Sequence, residues 1–193
     1  RARSILKAER LVLNCMQRMS GIATTTKRYV DLVAPYNCRI LDTRKTTPML
    51  RPLEKWAVRI GGCQNYRDGL YDWIMIKDNH VEASGGNKEA IQDVQKYLKQ
   101  NNMNLGITVE VRNLVELHQV LEVGGITRIM LDNFETTIMQ EAVETINGRY
   151  EVEASGGVTL QTVRKIAQTG VDFVSTGAIT HSAGILDLSL KII

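Results

Sequence analysis

At 193 residues, with 44% hydrophobic and 23% charged side chains, the chain has the length and balance of one globular domain, which excludes a disordered or low-complexity protein. No apolar run is long enough to span a bilayer, no secretory signal pattern is present, and Cys15, Cys38 and Cys63 give neither a disulfide framework nor a metal-ligand spacing. The net charge of +3 conceals a basic half (residues 1–77, 15 Lys/Arg against 6 Asp/Glu) and an acidic half (residues 78–193, 9 against 15), and with aromatics at 5% the basic half suits a small polyanion better than nucleic acid.

Residues 3–19 carry Ile5, Leu6, Leu11, Val12, Cys15, Met16 and Met19 at a helical period. Ser20 and Gly21 predict a break, and residues 22–33 a second helix that ends before Pro35. From there the pattern alternates. Strands are predicted at 39–41, 73–76, 107–111, 128–131, 150–154 and 173–175, with helices at 51–61, 88–100, 114–122, 135–147 and 160–169. Gly106, Gly124, Gly125, Gly148 and Gly170 punctuate the returns from helix to strand, and Gly85 with Gly86 reads as a helix-start turn. Strands alternating with helices of this length imply a parallel sheet with right-handed crossovers, and six such units suit an open α/β barrel better than a doubly wound sheet. The expected organisation is a helical segment over residues 1–35 followed by a barrel over 36–193.

The chemistry gathers after the strands. Ile40-Leu41-Asp42-Thr43-Arg44-Lys45-Thr46-Thr47-Pro48 turns from an apolar run into one acid, two bases and three hydroxyls, a pattern that suits an anion grip. Later strands end in Lys77 and Asp78, Glu110 and Arg112, Asp132 and Asn133, Glu153 and Ser155, and Ser175 and Thr176. In α/β barrels the C-terminal strand ends converge on one mouth, so these groups are expected to share a pocket. Ser155-Gly156-Gly157 and Ser175-Thr176-Gly177 are glycine-rich turns after the last two strands, the usual place for a barrel phosphate site, and the helix expected after the first adds a favourable N-terminal dipole. Glu110 and Asp132, on consecutive strands, suit oxygen-ligated magnesium or general acid–base work, with charge balance for Lys45 and Lys77 as the plain alternative. Arg44, Lys45, Arg67 and Lys77 combine planar forks with point charges and suit a substrate bearing more than one acidic group. His118 reads as a surface or packing residue, and no nucleophile triad is legible.

Asp42-Thr43-Arg44-Lys45-Thr46, Lys77-Asp78-Asn79-His80, Val109-Glu110-Val111, Leu131-Asp132-Asn133, Ala154-Ser155-Gly156-Gly157 and Thr176-Gly177-Ala178-Ile179-Thr180-His181, with Glu9-Arg10 and Ser20-Gly21-Ile22-Ala23-Thr24, together resemble the quinolinate phosphoribosyltransferases, also called nicotinate-nucleotide pyrophosphorylases (carboxylating). The resemblance runs from about residue 3 to 190 and implies an open six-stranded α/β barrel. It implies a pentosyltransferase of the NAD biosynthetic route. Such an enzyme converts quinolinate and phosphoribosyl pyrophosphate, with Mg2+, into nicotinate mononucleotide, pyrophosphate and carbon dioxide. Carried over by motif, Arg44, Lys45 and Arg67 hold the quinolinate carboxylates and Lys77 contacts the phosphoribosyl donor. Glu110 and Asp132 serve the ribose and magnesium, and Ser155, Gly156, Gly157 and Gly177 cradle phosphate with His181 beside them. Lys45, Lys77, Glu110 and Asp132 form the catalytic set, and Arg10 reaches across a homodimer interface into the partner's site. No nucleic-acid or membrane partner is implied, and the compartment is cytoplasmic unless a targeting segment has been removed. Two departures stand out. Tyr66 occupies a position where the family usually carries histidine, which puts the strength and pH dependence of substrate binding in question. The family's chains also begin with a further α/β domain that Arg1 follows closely. That opens a second reading, an inactive fragment or scaffold subunit that binds without turnover. Barrel chemistry taken alone also fits a phosphate-binding lyase or isomerase.

Overall fold

The computed structural model describes residues 2–191. Helix α1 (Ala2–Val33) runs without interruption through the expected break. Gly21 stays helical because its place is set by packing: a Cβ there would lie 1.8 Å from the Gly184 carbonyl oxygen. The helix buries Leu13, Gln17, Gly21, Ile22, Thr26, Tyr29 and Val33, a stripe at three- and four-residue spacing. It packs on α2 (Arg51–Ile60), α7 (Val163–Ala167) and α8 (Ala178–His181). Its first turns leave Ile5, Leu6, Leu11 and Val12 exposed.

Six short strands follow: β1 (Arg39–Leu41), β2 (Ile74–Ile76), β3 (Ile107–Val111), β4 (Arg128–Asp132), β5 (Glu151–Ser155) and β6 (Phe173–Ser175). All pair in parallel in the order β1-β6-β5-β4-β3-β2. From β2 to β6 strands adjacent in sequence are adjacent in space, and β6 returns to pair with β1. This is barrel order, opened between β1 and β2. The opening is part-filled by the stretch around Gln64, which bridges Leu41 in parallel, donates from its backbone to Ile40 and accepts from Asp42. Three further helices, α4 (Asn87–Gln100), α5 (Leu114–Val123) and α6 (Thr136–Ile146), lie close to the predicted spans.

Two helices were not expected, α8 and α3 (Asp78–Ser84). His80 Nδ1 accepts from the Lys77 backbone N at 2.9 Å, so the polar run after β2 is a helix start, and Gly85 ends α3 just before Gly86 opens α4. The predicted helix at 160–169 shrinks to α7, because Thr159 and Thr162 bond to each other in a turn.

Side chains alternate across each strand. Val109, Val111, Ile129, Leu131, Val152, Ala154 and Val174 are buried against Leu117, Val120, Met139, Ala142, Ile146 and Val163 of the helices. The opposite parity, facing the barrel interior, is mostly polar: Thr108 and Glu110, Arg128 and Asp132, Glu153 and Ser155, with Met75 and Met130 among them. That parity aims successive strand ends at one mouth.

Candidate active site

The loop after β1 is anchored from beneath. Asp42 is fully buried and accepts from Lys55 Nζ at 2.7 Å, Asn65 Nδ2 at 2.6 Å and the Tyr66 backbone N at 2.7 Å. Burial pushes its carboxyl above the ordinary range, against the pull of Lys55 and the other donors. Asp42 is therefore an anchor that ties the 42–48 loop to the segment carrying Tyr66 and Arg67, and it does not face the mouth.

Above this anchor lies a cavity of about 260 Å3 lined by Thr43, Arg44, Lys45, Tyr66, Arg67, Met75, Lys77, Met130, Ser155 and Ser175. Lys77 is its only cation with a carboxylate partner among the described residues, Glu110 Oε2 at 2.5 Å. Arg67 is held by the Trp73 carbonyl at 3.2 Å. Burial, and then the charge of Arg44, pull its pKa below the usual guanidinium value. Cations gathered without matching carboxylates repel one another, and an anion relieves that repulsion.

A second cavity of about 240 Å3 shares Thr43, Lys45, Ser155 and Ser175 with the first and extends over Gly156, Gly157, Val158, Thr159, Thr176, Gly177, Ala178 and His181. Gly156 adopts φ +91°, and a Cβ there would fall 2.2 Å from Asn133 Oδ1. Gly177 lets two site residues close in, since its Cβ would lie 2.7 Å from the His181 ring and 3.1 Å from Lys45 Cδ. Both turns thus stay free of side-chain bulk, as an anion-binding concavity made of backbone N–H groups requires. The helix dipole expected here is absent, because α7 starts only at Val163.

The structure thus brings Arg44, Lys45, Tyr66, Arg67, Lys77 and Ser155 to one cavity, and Gly156, Gly157, Gly177 and His181 to its neighbour. Glu110 reaches the first through Lys77. Asp132 accepts from Asn133 Nδ2 at 2.9 Å, and Asn133 in turn donates its backbone N to the Ser155 carbonyl, which ties Asp132 to the glycine turn. Arg10 lies exposed on α1 and lines neither cavity. Three strand-end residues depart from expectation. Arg112 is exposed and pairs with Glu116, and Asp78 lies in the first turn of α3, where its Oδ1 accepts from the Asn79 backbone N at 2.7 Å. Glu153 lies fully buried one step below Ser155, bonded to Arg128. Tyr66 lines the cavity, but its hydroxyl is 2.6 Å from Thr108 Oγ1 inside the barrel, and burial and the nearby Glu153 hold it above the usual phenol range. Sequence reasoning passed over Met75 and Met130, whose inward parity with Lys77 and Asp132 was a usable signal, and over Thr43.

The fold and site together define a parallel α/β barrel protein whose strand ends join a cation cluster to glycine-rich turns. Residues 22–191 match the model of the quinolinate phosphoribosyl transferase C-terminal domain, and the chain belongs to that family. It is 53% identical to the quinolinate phosphoribosyltransferase (decarboxylating) 1b of Nicotiana tabacum, with 100% of the chain and 58% of the relative covered. It is likewise 53% identical to the chloroplastic nicotinate-nucleotide pyrophosphorylase (carboxylating) of Arabidopsis thaliana, covering 99% of the chain and 58% of that protein. Among solved structures it superposes on NadC from Streptococcus pyogenes with a TM-score of 0.91 at 40% identity, over 98% of the chain and 65% of that structure. The chain therefore spans less than two thirds of the length of these relatives.

Proposed function

We propose that this domain, within its full-length protein, transfers phosphoribosyl from phosphoribosyl pyrophosphate to quinolinate with loss of carbon dioxide, giving nicotinate mononucleotide and pyrophosphate. The observation that carries this reading is the pair of joined cavities, one rich in unpaired cations and one walled by glycine turns, with Lys45 common to both. Arg44, Lys45 and Arg67 grip the two carboxylates, while Met75, Met130 and the Tyr66 ring provide walls for a flat pyridine. The N–H groups at Gly156, Gly157 and Gly177, with His181, receive the donor's ribose phosphate. Lys77, steadied by Glu110, meets the charge that develops on the leaving pyrophosphate.

As that group leaves, positive charge grows on the anomeric carbon, and Glu110 and Asp132 favour it. The pyridine nitrogen, aligned by its clamped carboxylates, attacks there. Its new positive charge stabilises the electron pair left on the adjacent ring carbon when the carbon–carboxylate bond breaks and carbon dioxide departs, and that carbon then takes a proton from water. No residue is required as a covalent nucleophile.

Glu110 and Asp132 are hard oxygen donors and fit Mg2+, which binds through one or two carboxylates and completes its shell with substrate phosphate and water. Among the described residues no cluster of three or more His, Cys, Asp or Glu forms a metal site by itself, which suits an ion carried in with the donor. When bound, Mg2+ would neutralise charge on the pyrophosphate. Arg10, exposed on α1, is assigned to a partner subunit's site in a homodimer.

The test is turnover by the full-length protein. Pyrophosphate and nicotinate mononucleotide should appear together only when quinolinate, phosphoribosyl pyrophosphate and Mg2+ are all supplied. Tight quinolinate binding without product would favour a scaffold role and overturn the proposal.

A further inference from the structure

A part-buried, fully bonded ion pair, Arg18 with Glu54, lines neither of the two cavities. Glu54, on the inner face of α2, has no exposed surface. Its Oε1 accepts from Arg18 Nε at 2.9 Å and Nη2 at 2.8 Å, and from the Thr47 hydroxyl at 2.7 Å. Its Oε2 accepts from the Thr47 backbone N at 3.0 Å. Arg18, on α1, directs Nη2 to the Thr180 carbonyl at 2.6 Å and Nη1 to the Ala183 carbonyl at 2.8 Å. The Thr180 hydroxyl then donates to the Lys45 carbonyl at 2.8 Å. The bonds close a ring from Glu54 through Thr47 and the loop to Lys45, on to Thr180, and back through Arg18.

The ring joins two segments of different duty. One is the 43–48 loop, which carries Arg44 and Lys45; the other is the 176–183 turn, which carries Gly177 and His181. We propose that Arg18 and Glu54 are positioning residues that fix the separation between the carboxylate-binding loop and the phosphate-binding turn, so that one ligand can engage both. This rests on the two-substrate reading given above. Each segment has its own local support: Asp42 is anchored by Lys55, and the Gly177 carbonyl accepts from the Thr180 backbone N at 3.0 Å. A ligand that touches only one segment is therefore indifferent to their spacing. A ligand that spans both gains affinity only if the spacing is already correct.

That difference separates positioning from plain stability, which would weaken every ligand alike. The experiment titrates the full-length protein with three probes by calorimetry: quinolinate, inorganic phosphate, and nicotinate mononucleotide, which carries a pyridine carboxylate and a ribose phosphate in one molecule. Arg18→Lys keeps a positive charge beside Glu54 but loses the fork to Thr180 and Ala183. Arg18→Met combined with Glu54→Gln removes both charges, so neither is left buried alone. In both variants nicotinate mononucleotide affinity should fall roughly tenfold while quinolinate and phosphate change less than about twofold. Parallel losses for all three probes, or no loss, in variants whose unaltered parent binds them would overturn the positioning role alone. A parent that binds neither quinolinate nor nicotinate mononucleotide would overturn the functional reading and this inference with it.

Discussion

Replacing Lys55 by Met is the sharpest probe of how the site is supported. Lys55 and Asp42 are both buried, and the change leaves the Asp42 carboxylate without its cation while the Asn65 and Tyr66 donors remain. Breaking a buried pair from one side costs about 3–5 kcal/mol, and two surviving donors place this case near the lower bound, at ~3 kcal/mol. For a chain of this length each kcal/mol lowers Tm by about 2–4 °C, so a fall of roughly 6–12 °C at neutral pH is expected. The pH dependence gives a second check. The Asp42 carboxyl already stands above the ordinary range in the folded protein, and removing Lys55 takes away two influences that lower it. The folded state then holds this proton more tightly than the unfolded chain. Stability from that difference is complete below the ordinary carboxylate pKa of about 4 and is lost as pH rises through the folded value. Thermal melts of both proteins at pH 5 and pH 7.5 should show the gap narrowing in acid. A Tm within 2 °C of the parent at neutral pH, or a gap that widens in acid, would refute the account of a buried charge pair.

Lys45→Ala removes an exposed cation shared by both cavities, so kcat/KM should fall by about a hundredfold or more while Tm moves by less than ~2 °C; a large loss of Tm would mark Lys45 as structural instead. Gly21→Ala sets a helix-propensity gain of about 1 kcal/mol against a Cβ placed 1.8 Å from the Gly184 carbonyl; overpacking of about 1–3 kcal/mol should win, and urea denaturation that shows net stabilisation would contradict this. Tyr66→Phe deletes a hydroxyl engaged with Thr108 inside the barrel, so stability should drop by about 1 kcal/mol with quinolinate affinity changed less than twofold; a larger loss of affinity by calorimetry would show that the hydroxyl turns to the ligand.

The strand count, the longer helices α2, α4, α5 and α6, and the cation cluster were legible because they rest on local patterns. Short apolar runs between helical stretches gave the strands, and the polar residues that follow them gave Arg44, Lys45, Lys77 and the glycine turns. What escaped was set by tertiary contact. Gly21 looks like a helix breaker until the chain near Gly184 is packed against it. Asp42 reads as part of an anion grip, and Glu54 and Lys55 look like solvated charges on an amphipathic helix, yet all three are buried, since each finds its partner 13 or more residues away. Glu153 shares its parity with Ser155 and was expected at the mouth, but strand length alone cannot say which of two inward residues is the deeper. The helix after Gly157 is shorter than its sequence suggests, because Thr159 and Thr162 satisfy each other's groups in a turn and delay its start.

The depth of Glu153 has a consequence for the pocket above it. A carboxylate inside a narrow barrel, one step below Ser155, would neutralise the cations that wait for the ligand if it were free to turn upward. Arg128 prevents this. It bonds Glu153 Oε2 at 3.1 Å and Glu151 Oε2 at 2.8 Å, and its guanidinium lies 3.9 Å from the Phe173 ring centroid, with Tyr66 at 5.2 Å and Trp73 at 5.4 Å. Stacking of this kind favours the charged guanidinium where water is excluded. Burial pushes the Glu153 carboxyl upward, against the pull of Arg128, and Oε1 has no hydrogen-bond partner among the described residues. The floor of the barrel is thus closed by a charge pair that compensates itself. Arg44, Lys45 and Arg67 are left to be neutralised from the open side, by whatever anion enters the mouth.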